Sequence, residues 1–285
     1  MNVSDAMTQR DTLVTVSLPG TRDDVLVYLQ EHGFSSVPVV KDVDGTAVFR
    51  GLVSRDDLIE NPDEDQLALL MRDVPTIDPG ETLAAAAALM RETGTRRVPV
   101  VAEDGDGDLD GIITVTDLIR AIARENANGD VAVGDLASTD INTTYVKTPL
   151  PVAEREIYYA NVPYAIVLDD DADMAGIITE VDIVEVARVV EGEEETGESI
   201  AEQDSAWAWE GIKAVGGRYL PTRNVEIPAE AVSEFMSEDV VTVTRKRSAR
   251  EAAQAMITND IEQIPLVSGG ELIGVVRDID LLEAI

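Results

Sequence analysis

One short pattern recurs four times along the chain and constrains the fold more than any other feature. A glycine followed by two apolar residues precedes an aspartate by six positions, at 51–57, 111–117, 176–182 and 274–280. Upstream of each copy, a proline lies among apolar or β-branched residues, and a threonine lies further upstream. Internal repetition of this kind indicates one supersecondary unit that packs against its neighbours.

Each repeat predicts the order strand, helix, strand, strand, helix, which is an α/β fold of β-α-β-β-α units. A unit of about 60 residues buries only about 60% of its unfolded surface, so we expect the repeats to share cores in pairs. The predicted repeats are 1–62, 63–128, 129–190 and 231–285. Between them, 191–230 is predicted to be an acidic linker or insertion with a Trp-rich helix. Its Trp207 and Trp209 predict either packing over the module surface or a partner-binding site.

Local features give sharper expectations. Residues 78–81, Asp-Pro-Gly-Glu, have the chemistry of a helix start, with an N-cap acid, proline at N1 and glutamate at N3. The upstream threonine of each repeat is expected to end a short strand. In repeat 3 the interval between this threonine and Pro163 is three residues shorter than in the others, and Pro149 and Pro151 are expected to shorten its first helix.

These repeats resemble the cystathionine-β-synthase (CBS) domain, and four of them resemble two tandem Bateman modules. The resemblance covers nearly the whole chain outside 191–230. It extends to archaeal stand-alone CBS-pair proteins and to the gamma subunit of AMP-activated protein kinase. It implies tandem CBS domains paired through their sheets into two modules, with clefts that bind adenosine-containing ligands.

The closing motif of each repeat has two interpretations. A serine or threonine three residues before an aspartate approximates a capping box, which would be structural. The same helix N-terminus offers free N–H groups to an anion, and a carboxylate can accept the paired hydroxyls of a ribose. By resemblance, Asp57, Asp117, Asp182 and Asp280 would bind ribose, and Ser54, Thr114, Thr179 and Arg277 would lie near phosphate. The backbone beside Val37, Val98, Val162 and Ile264 would meet adenine, and the upstream threonines Thr15, Thr76, Thr143 and Thr242 complete the candidate set.

Repeat 4 carries an unusual concentration of positive charge. Arg245, Lys246 and Arg247 occupy the positions of the helix-starting residues 79–81 and are expected at a helix N-terminus, where the dipole disfavours cations. Arg277 also replaces the capping hydroxyl, and Arg250 follows one turn later. A bound nucleotide phosphate would explain these bases, and pairing with the many acids of the chain is the alternative.

Repeat 2 is the second strong candidate, because Arg96 and Arg97 directly precede Val98 and could point towards phosphate. A solvated strand edge is the alternative for both. Repeat 1 has no base beside its proline, and His32 is expected on the surface. We therefore expect unequal sites: repeats 2 and 4 as good sites, repeat 1 as a weaker one, and repeat 3 as doubtful.

Composition limits the other possibilities. The chain has 56 acidic and 22 basic residues, a net charge of -34, which argues against nucleic acid or an anionic membrane as partner. It has no cysteine and a single histidine, which excludes thiolate sites and argues against a histidine metal cluster. The acidic loop 104–110 has leucine where a calcium loop needs glycine, so we interpret it as a hairpin turn. Because molar salt screens such a charge, we predict a halophilic protein, with an ordinary acidic protein as the alternative.

Together these features predict a cytoplasmic regulatory protein that senses AMP, ADP or ATP, with S-adenosylmethionine and NAD as larger adenosyl candidates. The N-terminus lacks a secretion signal, and no apolar run approaches the roughly 18 residues of a membrane span. The alternative is an interaction scaffold with vestigial ligand sites. No nucleophile is arranged with a base, so we expect no enzyme and no required cofactor. A homodimer or a regulated protein is the expected protein partner.

Overall fold

The computed structural model describes residues 1–32, 36–54, 57–58, 61, 64–102, 107–124, 129–191 and 223–285. Both tryptophans and most of the 191–230 insertion lie outside these residues, as does part of the acidic loop 104–110. The chain forms two compact units. Unit 1 contains 1–137, 243–264 and 276–285, and unit 2 contains 138–242 and 265–275.

Repeat 3 has the predicted β-α-β-β-α order in full, whereas in the described residues repeats 2 and 4 lack the leading strand and the elements of repeat 1 run from its first strand to its third. The chain begins with α1 (Val3–Ala6) and β1 (Thr8–Gln9). Repeat 1 follows with β2 (Val16–Leu18), α2 (Arg22–His32), β3 (Ser36–Val43) and β4 (Thr46–Ser54). Next come α3 (Leu67–Leu70) and, in repeat 2, α4 (Leu83–Thr93), β5 (Arg97–Val101), β6 (Leu109–Thr114) and α5 (Val115–Ala123).

The second half repeats this order. After α6 (Val133–Leu136), repeat 3 comprises β7 (Thr143–Tyr145), α7 (Leu150–Ala160), β8 (Tyr164–Leu168), β9 (Met174–Thr179) and α8 (Glu180–Val186). A hairpin of β10 (Arg188–Glu191) and β11 (Arg223–Glu226) and the 3-10 turn Val232–Glu234 come next. Repeat 4 then contains α9 (Ala249–Asn259), β12 (Gln263–Ser268), β13 (Glu271–Arg277), α10 (Asp278–Leu281) and a final 3-10 turn, Leu282–Ala284. No described helix has the length and apolarity that crossing a bilayer requires.

The first long helix has the same length and position in all four repeats. It has 11 residues each time and begins seven residues after the upstream threonine. The expectation that repeat 3 has a shortened helix is wrong, because Pro149 is its N-cap and Pro151 lies in the first turn, where no intrahelical N–H is needed. The upstream threonine also does not end a strand: Thr15 precedes β2, and Thr143 begins β7.

The predicted start of α4 is also wrong. Thr82, rather than Asp78, is the N-cap, and its hydroxyl accepts a hydrogen bond from the Ala85 N–H at 3.1 Å. Asp78 instead closes a turn before the helix, where its carboxylate accepts the Gly80 N–H at 2.7 Å. Aspartate stabilises both turns and N-caps through the same short-range hydrogen bond, so the sequence signal favoured the wrong residue.

Strand register corrects the alignment of repeat 3. Val98 pairs with Ile113 in repeat 2, whereas Ala165 pairs with Ile178 at the equivalent place in repeat 3. Val162 therefore does not correspond to Val98, and Pro163 does not correspond to the strand prolines of the other repeats. The interval in repeat 3 is not shortened, because the residue equivalent to Pro99 is Ile166, which pairs with Ile177.

Four short segments, which we call the lead segments, are exchanged between neighbouring repeats. Each precedes one repeat but pairs with the other repeat of its pair. Segment 1–9 pairs with repeat 2 through Thr8↔Ile112, and segment 66–72 pairs with repeat 1 through Leu52↔Arg72. Segment 132–138 pairs with repeat 4 through Ser138↔Val275. Segment 231–237 pairs with repeat 3 through Ile177↔Ser237. Repeats 1 and 2, and repeats 3 and 4, are thereby interlocked.

The lead segments explain the glycine of the repeated motif in repeats 1, 2 and 3. A Cβ on Gly51 would lie 2.6 Å from the Arg72 carbonyl oxygen, and one on Gly176 would lie 2.7 Å from that of Ser237. At Gly111 the carbonyl of Thr8 is closer still. Backbone atoms cannot be moved aside as a flexible side chain can, so only glycine fits beneath the crossing segment.

Both faces of the repeat 3 sheet are buried. On one face, Ala165 and Val167 pack with Leu150 and Ile157 of α7. On the other, Tyr164 and Ile166 pack in a cluster that includes Val275 of repeat 4. This sheet-to-sheet core in unit 2 confirms that repeats pair through their sheets. In unit 1, strands of repeats 1 and 2 meet at the Val48↔Asp108 bridge.

Candidate functional site

The capping box of repeat 2 lies at the first turn of α5. Asp117 Oδ2 accepts hydrogen bonds from the Thr114 backbone N–H at 3.0 Å and from its hydroxyl at 2.7 Å, and the hydroxyl accepts the Asp117 N–H at 3.2 Å. The Val115 N–H donates to the Arg96 carbonyl at 3.0 Å. Within the described chain this leaves the Thr116 N–H as the unpaired donor of the first turn.

The same carboxylate geometry recurs in the other three repeats. Asp57 and Asp182 each accept the backbone N–H and the hydroxyl of the residue three positions earlier, at 2.6 to 2.8 Å. Asp280 accepts the Arg277 N–H at 2.9 Å, and the Arg277 guanidinium takes the place of the missing hydroxyl. The structural interpretation of the motif as a helix cap therefore holds in every repeat.

The second carboxylate oxygen distinguishes the repeats. Arg72 pairs with Oδ1 of Asp57, Arg120 binds Oδ1 of Asp117 at 3.0 Å, and Arg277 binds Oδ1 of Asp280 at 2.9 Å. Asp182 has no such arginine among the described residues. The repeat 3 position equivalent to Arg120 is Glu185, which carries the opposite charge.

The two arginines before β5 have different surroundings. Arg96 binds Asp278 with both terminal nitrogens, at 3.1 and 2.6 Å, and contacts Glu262 at 2.9 Å. Burial works against its charge, but the bonds and charges of these two acids outweigh burial and raise the pKa of Arg96. Desolvation lowers the pKa of Arg97 and the positive charge of Arg96 lowers it further, whereas the charge of Glu262 acts in the opposite direction.

The basic residues of repeat 4 lie in a turn that precedes the helix cap. Ser248 is the N-cap of α9, so the expectation that Arg245, Lys246 and Arg247 occupy the helix N-terminus is wrong. The carbonyls of Arg245 and Arg247 accept N–H groups of the lead segment 132–138 at 3.0 and 2.7 Å. Residues 245–247 correspond to residues 79–81 of repeat 2. In both repeats the sequence placed the helix start about four residues too early.

Several of these bases pair with acids. Arg247 forms an ion pair with Glu251 in the first turn of α9, and Arg250 binds Asp130 at 2.9 Å. The Arg247 contact and two hydrogen bonds from Ser248 lower the pKa of Glu251, with the Ser248 backbone N–H as the largest cause. The alternative interpretation of this cluster was that its bases pair with acids. Arg247 and Arg250 do so in the structure.

The remaining candidates are divided between core and surface. Val37, Val98 and Ile264 are fully buried at the starts of their strands, and Val162 packs at the edge of the core between repeats 3 and 4. Thr76, Thr143 and Thr242 are exposed, and Thr15 is half-buried. The side chains of Val37, Val98 and Ile264 are thus core residues, and only their backbone could meet a ligand.

A cavity of about 120 Å3 lies between α5 of repeat 2 and α9 of repeat 4, inside unit 1. Thr116, Arg120, Glu262 and Asp278 line its polar side, and Ile119 contributes to its apolar side. Arg120, Glu262 and Asp278 were missed by the sequence analysis. Glu262 and Asp278 could have been found by aligning the repeats, because in repeat 4 they occupy the positions that Arg96 and Val115 have in repeat 2. No cluster of acidic or histidine side chains suited to a metal ion occurs among the residues described.

Known proteins with the same organisation were found by sequence and by structure. An uncharacterized protein of Methanocaldococcus jannaschii is 24% identical over 283 residues, which are 99% of this chain but 61% of the relative's length. A crystal structure of an uncharacterized conserved protein from Pyrococcus horikoshii is 29% identical, with a TM-score of 0.69 and 99% of both chains covered. A second, from M. jannaschii and described as a proposed archaeal homologue of γ-AMPK, is 19% identical, with a TM-score of 0.66 and the same coverage.

The family model of the CBS domain matches four stretches of the chain, 3–64, 67–124, 133–188 and 232–285. These matches cover most of the sequence, and they coincide with the four copies of the capping motif. The helix–strand–strand order that all four repeats share, and the pairing through sheets, agree with them. The chain therefore belongs to the CBS domain family, with four CBS domains in tandem.

Proposed function

We propose that this chain is a non-catalytic regulatory protein that senses adenosine nucleotides, with repeat 2 as its principal binding site. AMP, ADP and ATP are the expected ligands, and S-adenosylmethionine and NAD are the larger adenosyl candidates. Binding would change the arrangement of the repeats or of a regulated protein, because a ligand shifts an equilibrium through its differential affinity for two states. The expected setting is a cytoplasm of high salt.

The observation that carries this proposal is the position of Arg97. It pairs in register with Thr114, so it lies directly beside the first turn of α5. Its side chain is exposed, so an incoming anionic group can reach the guanidinium. The free N–H of Thr116 lies in the same first turn. A phosphate at this turn would accept hydrogen bonds from both groups, and charge-assisted hydrogen bonds of this kind are stronger than neutral ones.

The ribose would be bound by the carboxylate of the same box. Asp117 Oδ2 already accepts two hydrogen bonds and Oδ1 accepts one from Arg120, so a carboxylate with about four acceptor sites retains one. One ribose hydroxyl can therefore bind without displacement of Arg120, and a second hydroxyl requires that Arg120 moves. This places a limit on ribose affinity in repeats 1, 2 and 4.

The alternative is an interaction scaffold, and one observation favours it. The motif aspartates are all used in helix caps, and Arg247 and Arg250 pair with internal acids. On this alternative the boxes stabilise helices and bind no ligand. It differs from the sensor in a measurable way, because only a specific ligand raises thermal stability by mass action.

The test is a thermal-shift series on the whole chain in molar KCl, with adenosine, AMP, ADP and ATP. A ligand at 100 times its Kd adds about 2.7 kcal/mol of stability, so a bound nucleotide gives a clear rise in Tm. We expect nucleotides to raise the Tm more than adenosine does, since Arg97 would contact only the phosphate groups. If none of the four compounds changes the Tm of the protein, and calorimetry registers no heat of binding, the scaffold is favoured.

The salt requirement is tested separately. At about 1 M salt the Debye length falls to roughly 3 Å, so repulsion within a chain of net charge -34 is largely screened. We expect the free energy of unfolding to rise as KCl is added. Full stability in dilute buffer would identify an ordinary acidic protein instead.

A further inference from the structure

Repeats 2 and 4 carry opposite charges at one equivalent position. The carbonyl of Arg96 accepts the first N–H of α5, from Val115, at 3.0 Å, and the carbonyl of Glu262 accepts the first N–H of α10, from Asp278, at 2.8 Å. Arg96 therefore corresponds to Glu262, and Val115 corresponds to Asp278. One repeat has an arginine here, and the other has two acids.

These three charged side chains form one network in unit 1. The guanidinium of Arg96 binds both oxygens of Asp278 and one oxygen of Glu262. Asp278 is only 5% exposed, whereas the Glu262 side chain is 57% exposed. A buried carboxylate that loses its partner strongly destabilises the fold. Loss of Arg96 would therefore cost more stability at Asp278 than at Glu262.

The network borders the cavity between α5 and α9. Glu262 and Asp278, which hold Arg96, line this cavity together with Thr116 of the α5 first turn. Its volume of about 120 Å3 exceeds the space of a single water several times over. Arg120 is the lining cation, and Arg96 binds Glu262 and Asp278 from outside the lining. An anionic group that enters would be repelled by these two acids unless Arg96 changed partners.

We propose that Arg96 is an exchangeable cation, shared between Asp278 and the anionic tail of a ligand at repeat 2. This rests on the proposed function, and it adds how the site is regulated. A ligand that takes Arg96 leaves Asp278 without its partner at the first turn of α10. That turn also carries Asp280, the candidate ribose ligand of repeat 4. Occupation of repeat 2 therefore weakens the box of repeat 4, and the coupling is reciprocal.

The test compares ATP binding to the full chain and to Asp278→Asn by calorimetry in molar KCl. An asparagine can still accept the Ile279 N–H that Asp278 accepts at 2.7 Å, but it no longer neutralises Arg96. We expect the Kd for ATP to fall about tenfold, within the usual range of coupling between sites. The double variant Arg96→Gln/Asp278→Asn should lose this gain, because no cation is left to release.

Two further variants keep the result interpretable. Glu283→Gln removes the ion pair with Arg91, which also joins repeats 2 and 4, and it should change the Kd less than about twofold, below the range of coupling between sites. If Asp278→Asn does not fold, Glu262→Gln removes the more exposed partner and should lower the Kd about threefold, the effect of a weaker coupling. Equal Kd values for the wild type and for the Asp278 or Glu262 variant would overturn the exchange while leaving the sensor intact. Absence of ATP binding in every protein would overturn both.

Discussion

Repeats 2 and 3 have the same capping box in different electrostatic surroundings. The Thr114–Asp117 and Thr179–Asp182 boxes have the same partners, with N–H to Oδ2 distances of 3.0 and 2.8 Å. By strand register, however, Arg96 and Arg97 of repeat 2 correspond to Pro163 and Tyr164 of repeat 3. Arg120 corresponds to Glu185. The box that both repeats share caps the helix, and on the proposed function the bases that they do not share determine which repeat can hold an anion.

The largest expected effect tests what the two repeats share. Gly111→Ala and Gly176→Ala each force a Cβ against a backbone carbonyl of a lead segment. Overpacking of this kind costs about 1–3 kcal/mol, so we expect both variants to lose a similar amount of stability in urea titrations. Gly80→Ala is the control, since the added Cβ meets only the Asp78 carboxylate. Full stability of either motif variant would contradict the exchange of lead segments.

The next prediction separates capping from binding. Asp117→Asn and Asp182→Asn weaken equivalent boxes, so each should cost about 1 kcal/mol of stability. Only Asp117→Asn should also weaken nucleotide binding, by about tenfold, since a charge-assisted hydrogen bond contributes about 1.5–3 kcal/mol. Calorimetry with ATP measures this directly. An equal loss of affinity in both variants would show that the bases do not decide the site.

A smaller effect is expected from the bases themselves. Arg97→Gln removes an exposed guanidinium, so the protein without ligand should lose little stability. ATP affinity should fall about three- to tenfold, whereas adenosine affinity should not change, because a single charged hydrogen bond to phosphate is lost. Arg124→Gln, at the other end of α5, is the control. A parallel loss for adenosine would show that Arg97 acts through the fold.

The smallest effect concerns the hairpin of repeat 2, where Asp110 corresponds to Ala175 of repeat 3. Burial raises the pKa of Asp110, and the charges of Asp108 and Asp78 raise it further. A raised pKa means that the neutral form favours folding, so this contribution is present at acid pH and is lost as pH rises through the folded pKa. Asp110→Asn should therefore add a few tenths of a kcal/mol at pH 7, as expected for a half-buried charge close to the surface.

This gain should disappear at acid pH and should shrink in molar KCl, because salt screens the repulsion from Asp108 and Asp78. Urea titrations at both pH values and at two salt concentrations measure it. A gain that is independent of pH would assign the effect to something other than the charge of Asp110.

The repeat order and the four boxes were predictable from sequence, because a capping box uses only residues three positions apart. Strand register was not predictable in repeat 3. There Pro163 was aligned with the strand prolines of the other repeats, although Ile166 is the residue at the equivalent position. Proline is compatible with several positions at a strand edge, whereas hydrogen bonding with β9 fixes only one register. Local chemistry also could not locate the start of α4, since Asp78 and Thr82 are both good caps.

Long-range partners were beyond the sequence. Arg96 and Asp278 are 182 positions apart, and no local pattern joins them. The exchanged lead segments were hidden for the same reason, because 1–9 pairs with residues about 100 positions away. The motif glycines gave an indirect signal, since only a close backbone crossing requires glycine at positions that are otherwise apolar strand.

Hydrogen–deuterium exchange of the whole chain in molar KCl, with and without ATP, tests the central claim most directly. Nucleotide binding at repeat 2 should slow exchange of the amides at 114–120, in the first turns of α5, and should leave those at 179–185 unchanged. Protection of 179–185 without protection of 114–120 would contradict the account, because it would place the ligand in the repeat that lacks the arginines.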